Sequence, residues 1–229
     1  MKKTIFSLLL LSLGSFGVAH AQFSRPVSVG IGGGTTINLT DLANVQAQYA
    51  GHVDVDGLIT PFISVGVHAE RGALKGHGYE SDFKNKYWAF NANAKLRMGQ
   101  FMGLPDNYSY YNLQASPFHK ILANLYVGAG AGFMKNDIVA NISSNYRTAI
   151  EGMGGHISEE LDGINFVVPL NVGVDIPFGR TLYGPQWAVN VNYQHTVTTK
   201  DNLDAVVNKK DDHYGYISVG LKYALFHRK

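Results

Sequence analysis

Large apolar residues alternate with small or polar ones along most of this chain, and that period of two constrains the fold more than any other feature. The clearest stretch is Trp187, Ala188, Val189, Asn190, Val191, Asn192, Tyr193, Gln194, His195, Thr196 and Val197. Successive side chains of a strand point to opposite faces, so such a segment has one apolar face and one polar face. Ile217, Val219, Leu221, Tyr223 and Leu225 repeat the pattern against Ser218, Gly220, Lys222 and Ala224. Trp88, Phe90, Ala92, Ala94, Leu96 and Met98 alternate with Tyr87, Asn91, Asn93, Lys95 and Arg97. Ile164, Phe166, Val168, Leu170, Val172, Val174 and Ile176 alternate with Asn165, Asn171, Gly173 and Asp175. Weaker versions cover 27–36, 46–58, 62–74 and 122–134, which makes eight predicted strands. Polar, Gly- or Pro-bearing stretches separate them.

Residues 1–21 read as a signal peptide. Lys2 and Lys3 form the positive start, residues 5–17 the apolar stretch, and Ala19-His20-Ala21 the small-residue cleavage signal. The apolar stretch is shorter than the ~20 residues that a spanning helix needs. The chain then divides into the signal peptide, 1–21, and one barrel domain, 22–229. Its 229 residues carry 19 basic and 17 acidic side chains. Without Lys2 and Lys3 the two signs balance, which argues against a nucleic-acid partner. There is no cysteine, so disulfide scaffolds, zinc fingers and thiol nucleophiles are excluded. No later run of ~18 apolar residues is present, so spanning helices are excluded as well.

Alternating strands suit either a soluble sandwich, whose apolar face packs inward, or a membrane barrel, whose apolar face meets lipid. The polar faces here carry Gly, Ser, Asn and Gln more than Lys and Glu, as a crowded small lumen requires. Gly30, Gly32 and Gly34, and Gly128, Gly130 and Gly132, clear space on that face. Trp88, Trp187, Tyr193, Tyr223 and Phe133 are expected near strand ends as interfacial girdles. The expectation is therefore an all-β, eight-stranded antiparallel up-and-down transmembrane barrel. Its outer loops are 37–45, 75–85, 135–163 and 199–212, and its inner connections 59–61, 99–121 and 177–186. The second of these connections is long for a periplasmic turn.

The inward phase supplies His52, Asp54, Asp56, His68, Glu70, Lys95, Arg97, Asp175 and Lys222. An eight-stranded barrel is only wide enough for side chains to fill, so its charges must pair. Asp54, Asp56, Glu70, Lys95, Arg97, Asp175 and Lys222 are predicted to form a salt-bridged plug; a narrow gated pore is the alternative. A three-residue turn at 59–61 would set Val55 opposite Val65 and His52 opposite His68. Two such imidazoles beside Asp54 and Glu70 raise the weaker idea of a metal site. No cofactor is expected.

His195, Thr196, Val197 and Thr198, followed by Asp201, are the nearest approach to a lipid-modifying Ser/His site. Val197 stands where the serine would be needed, and Ser143 and Ser144 have no readable relation to His195. The expectation is no enzyme. The Gly30–Gly34 run lacks the lysine and helix of a phosphate loop.

The segment Tyr193-Gln194-His195, through Asp201-Asn202-Leu203-Asp204, to Tyr214-Gly215-Tyr216-Ile217-Ser218-Val219-Gly220-Leu221-Lys222-Tyr223 resembles the closing hairpin of OmpA-like outer-membrane barrels of the Bacteroidota type. Ile59-Thr60-Pro61-Phe62-Ile63-Ser64-Val65-Gly66-Val67 similarly resembles their first periplasmic turn and next strand. The likeness implies the bacterial outer membrane of a Gram-negative cell and a role in envelope integrity or loop-mediated contacts. It also implies outer-membrane lipid, lipopolysaccharide and the barrel-assembly machinery as partners, with a further extracellular partner reached through the loops. Two departures stand out. The chain stops at Lys229, short of a periplasmic peptidoglycan-binding domain, and its last aromatic, Phe226, is three residues from the end. The competing class is a soluble periplasmic lipocalin-like binder of a small apolar ligand.

Overall fold

The alternating segments fold as strands because each can place every other residue against a neighbour of like polarity on both sides. The computed structural model describes residues 27–39, 44–77, 81–104, 116–144, 147–148, 152, 156–157, 162–179, 186–199, 203, 206–207 and 212–225. The expected signal peptide lies outside them. Eight long strands follow in order: β1 Val27–Asn38, β2 Gln48–Leu58, β3 Ile63–His77 and β4 Ser81–Arg97, then β5 Leu125–Ile142, β6 Asp162–Phe178, β7 Trp187–Thr198 and β8 His213–Leu225. Each pairs antiparallel with its sequence neighbours, and β1 pairs with β8, so the sheet closes on itself. Closure removes both sheet edges, as a membrane requires.

The register fixes the barrel's dimensions. Paired residues lead from Val27 to Gly57, Val65, Ala94, Ala129, Leu170, His195, Gly215 and back to β1 at Ile37. The return point is ten residues from the start (37 − 27), which is the shear of the barrel. With eight strands that shear tilts the strands by about 40° and gives a backbone radius of about 8 Å. Each residue then climbs about 2.5 Å along the barrel axis.

Outside, Ile31, Val53, Val67, Val127, Val172, Val191, Val219 and Leu221 form an exposed aliphatic band. Trp187 and Tyr223 pack edge to face at its lower rim, with ring centres 4.6 Å apart. Tyr49, Trp88, Phe133 and Phe166 are exposed at the upper rim, where Phe133 and Phe166 pair at 5.8 Å. On the climb per residue the two rims are about 25 Å apart, the height of an outer-membrane apolar band. Tyr193 lies at mid-height in β7, away from both rims, and Trp88 and Phe133 reach the upper rim from the middles of β4 and β5, not from near their ends.

Several boundaries differ from the alternation reading. The 75–85 and 135–163 loops shrink because β3 runs to His77, β4 begins at Ser81 and β5 reaches Ile142. Residues 122–123, expected in the fifth strand, instead end a short helix, α1, Pro117–Ala123. It begins at Pro117 behind Ser116, whose side chain caps it, and Pro suits the first helical turn. Together with the 3₁₀ turn Met98–Phe101 this helix occupies part of the long 99–121 connection.

Candidate functional site: the packed lumen

The lumen is built by pairing bare strands with loaded ones. β1 presents Gly30, Gly32 and Gly34 inward, and β5 presents Gly128, Gly130 and Gly132. A methyl group at Gly30 would lie 2.6 Å from an Asp54 carboxylate oxygen, and one at Gly32 would lie 2.5 Å from the His52 ring. At Gly130 it would sit 2.2 Å from the Asn93 amide oxygen. The long polar side chains of β2 and β4 therefore lie across the glycine floors of their neighbours.

Six of the seven expected charges meet in the lower half. The Lys222 ammonium from β8 lies 2.8 Å from Asp56, 3.3 Å from Asp175 and 3.8 Å from Asp54. Lys95 of β4 donates to both Asp56 oxygens, at 2.9 and 2.8 Å. Arg97 donates to Asp175 of β6 at 2.9 Å and to Ser64 at 3.4 Å. Three carboxylates thus meet three cations, and β2, β4, β6 and β8 each contribute. Buried charges persist when paired and hydrogen-bonded in this way.

Glu70 stands apart from this cluster, in an upper tier. It accepts a hydrogen bond from the Tyr87 hydroxyl and another from the Gln194 amide at 3.2 Å. His68 lies 3.5 Å from it, and His52 bonds the Tyr216 hydroxyl at 2.8 Å.

The expected facing of His52 and His68 is corrected. His52 pairs with Glu70 and Asp54 with His68, while Val55 faces Val67. The turn does contain three residues, but they are Thr60, Pro61 and Phe62, closed by Ile59 N–H donating to the Ile63 carbonyl at 2.9 Å. Thr60 Oγ1 accepts from Ile63 N–H at 2.9 Å, and Phe62 is buried against Gly99, where a side chain would overlap its ring. Moving the turn by one residue slides the pairing by two, so the faces still match. The two imidazoles are diagonal neighbours that stack at 5.0 Å. Among the described residues no group of three His, Cys, Asp or Glu side chains is arranged to hold a metal ion.

Sequence reasoning missed two parts of the lumen. One is an asparagine chain between the tiers, in which Asn192 donates to Asn171 at 3.2 Å and Asn171 to Asn93 at 3.3 Å. Tyr126 joins it to the charge cluster by donating to Asn192 at 3.1 Å and accepting from Asn190 at 2.9 Å. The inward phase of these asparagines was the available signal. The other is the upper cap, where Leu203 packs with Leu74, Phe83, Met134, Val167 and Tyr214. Asp212 holds the Leu203 N–H at 2.7 Å, and Asn85 donates to its carbonyl at 3.2 Å.

His195 faces outward beside His213, at 5.5 Å between ring centres. Thr196 and Thr198 turn into the lumen and are buried. Asp201 lies outside the described residues.

A closed barrel with a lipid-facing apolar band and a polar packed interior defines an outer-membrane β-barrel. The family model described as "Outer membrane protein beta-barrel domain" matches residues 6–224, and the chain belongs to that family. No curated protein matches the chain. Among solved structures it is similar to Neisserial surface protein A, at 12% identity and a TM-score of 0.48, covering 87% of this chain and 97% of that one. The attachment invasion locus protein of Yersinia pestis is 10% identical with a TM-score of 0.46, covering 88% and 100%. OprG from Pseudomonas aeruginosa is 10% identical with a TM-score of 0.41, covering 90% and 100%. The soluble lipocalin-like alternative is set aside by the outward apolar band and the family.

Proposed function

We propose that this barrel works at its outer surface, as a structural and surface-interaction protein of the bacterial outer membrane that neither conducts nor catalyses. The reading includes export by the 1–21 signal, membership of the OmpA-like group of the Bacteroidota type, and insertion by the barrel-assembly machinery. The observation that carries it is the inaccessibility of the lumen charges. Lys95, Arg97, Asp175 and Lys222 are 9%, 8%, 6% and 5% exposed, whereas groups lining a water-filled pore would be wet. This favours a plug over a gated pore.

Function is then left to the parts that stand beyond the membrane. β3, β4, β5 and β6 rise past the upper aromatic rim, and a two-residue ladder, His156–Ile157 with Val206–Val207, joins the β5–β6 connection to the β7–β8 connection. Replacing 143–161 by a short Gly-Asn turn tests the role of that region. Cells carrying the trimmed barrel at equal abundance are expected to lose the adhesion or phage sensitivity that the full chain confers. Unchanged behaviour would contradict a surface role for this loop.

A further inference from the structure

Cations are distributed unevenly around the outside of the barrel. Arg71, Lys75, Lys84, Lys86 and Lys135 are the outward-facing basic side chains of the described barrel strands, and all five belong to β3, β4 and β5. These strands are adjacent, so the charges form one wall rather than a ring. At its base Arg71 pairs with Trp88, which pairs with Lys135 across the next ladder. Lys86 stands one side-chain step further out on the same face of β4, beside Asp137.

Between them lies a cleft of about 550 Å³, within the range of small-ligand sites. Its outward side chains are Tyr49, Arg71, Lys86, Trp88, Lys135 and Asp137, giving three cations and one carboxylate. Gly72 puts no side chain into it. The Arg71 guanidinium rests on the Trp88 ring at 4.6 Å, which fixes its plane and leaves its edge to donate. None of the three cations forms an ion pair among the described residues.

We propose that this wall is a binding site for the phosphorylated headgroup of an outer-leaflet glycolipid, with Arg71, Lys86 and Lys135 holding phosphate and Trp88 and Tyr49 meeting the lipid below it. The proposal rests on the outer-membrane reading above and names a lipid partner for it. Charge complementarity selects a phosphate, which a guanidinium binds through paired N–H groups and an ammonium as a point charge. Depth selects a lipid. The cleft sits at the upper aromatic rim, with Tyr49 88% and Trp88 56% exposed, so its lower lip faces acyl chains and its upper lip water. A ligand that is apolar below and anionic above satisfies both.

The chain has two tryptophans, and Trp187→Phe leaves Trp88 as the sole reporter. The refolded variant in detergent is titrated with bis-phosphorylated lipid A, the same lipid with its phosphates removed, and inorganic phosphate. The Trp88 emission is expected to shift and saturate with the first. The second should need at least tenfold more lipid, and the third, at matched concentration, should leave the emission unchanged. Adding Lys86→Glu and Lys135→Glu should weaken the lipid A response at least tenfold while the folded, heat-modifiable band persists. Equal titration by the folded charge-reversed variant, or by the phosphate-free lipid, overturns the proposal. Saturation by inorganic phosphate at the same concentration also overturns it, by making the wall a free-anion site. None of these outcomes bears on whether the lumen conducts.

Discussion

Replacing Lys222 by methionine is expected to destabilise the barrel by about 3–5 kcal/mol, the cost of leaving a buried charge without its partner. Lys222 lies within 4 Å of three carboxylates, Asp54, Asp56 and Asp175, and is 5% exposed. Methionine fills nearly the same volume, so packing changes little and the loss is electrostatic. Lys95 and Arg97 remain, and two cations then face three carboxylates inside a low-dielectric wall. Adding Asp54→Asn should recover much of the loss, because it restores equal numbers of each sign. Urea unfolding of the barrel in lipid vesicles measures both variants. A Lys222→Met barrel as stable as wild type would mean that the lumen charges are solvated independently rather than paired.

Gly34→Val is expected to prevent closure, leaving no heat-modifiable folded band. Gly34 pairs with Ser218 on the β1–β8 seam, the last seam needed to turn the sheet into a barrel. A Cβ there would lie 1.9 Å from the Ile217 carbonyl oxygen and 2.6 Å from Ser218 Cα, both backbone atoms that no rotamer change can move. The adjacent Gly33 provides the control. It faces lipid, and its Cβ would come no closer than 3.4 Å to another heavy atom, the Ala50 carbonyl oxygen. Gly33→Val should therefore fold normally. The contrast between neighbours follows from the strand period, which turns one inward and the next outward. Equal folding of the two variants would contradict the seam register.

The eight strands were legible because lipid on one side and a crowded lumen on the other enforce a clean alternation. The same logic explains where reading stopped. Above the upper rim the outward positions become Lys84, Lys86, Lys135 and Asp137, while Leu74, Phe83, Met134 and Ile138 are buried inside. Polarity inverts as the strands leave the membrane, so a search for apolar outward positions ends β3, β4 and β5 too early. The lumen charges were legible from phase alone, since each falls on the polar set of its strand. Their division into a lower cluster and an upper Glu70 tier was not, because it depends on the shear of the whole barrel. The His52–Glu70 pairing was missed for a local reason. Burial of Phe62 against Gly99 draws that residue into the turn, and no period-two pattern reports such a contact. Leu203 lay within a polar loop, where a lone apolar residue is ordinary until its docking surface is known.

Single-channel recording on the purified, refolded barrel in planar bilayers tests the central claim most directly. A lumen filled by the Lys222 cluster, the asparagine chain and the Leu203 cap predicts no reproducible unitary current at any holding potential. Stable unitary currents whose size changes in Lys95→Met or Arg97→Met would place the conducting path inside the lumen and contradict the account.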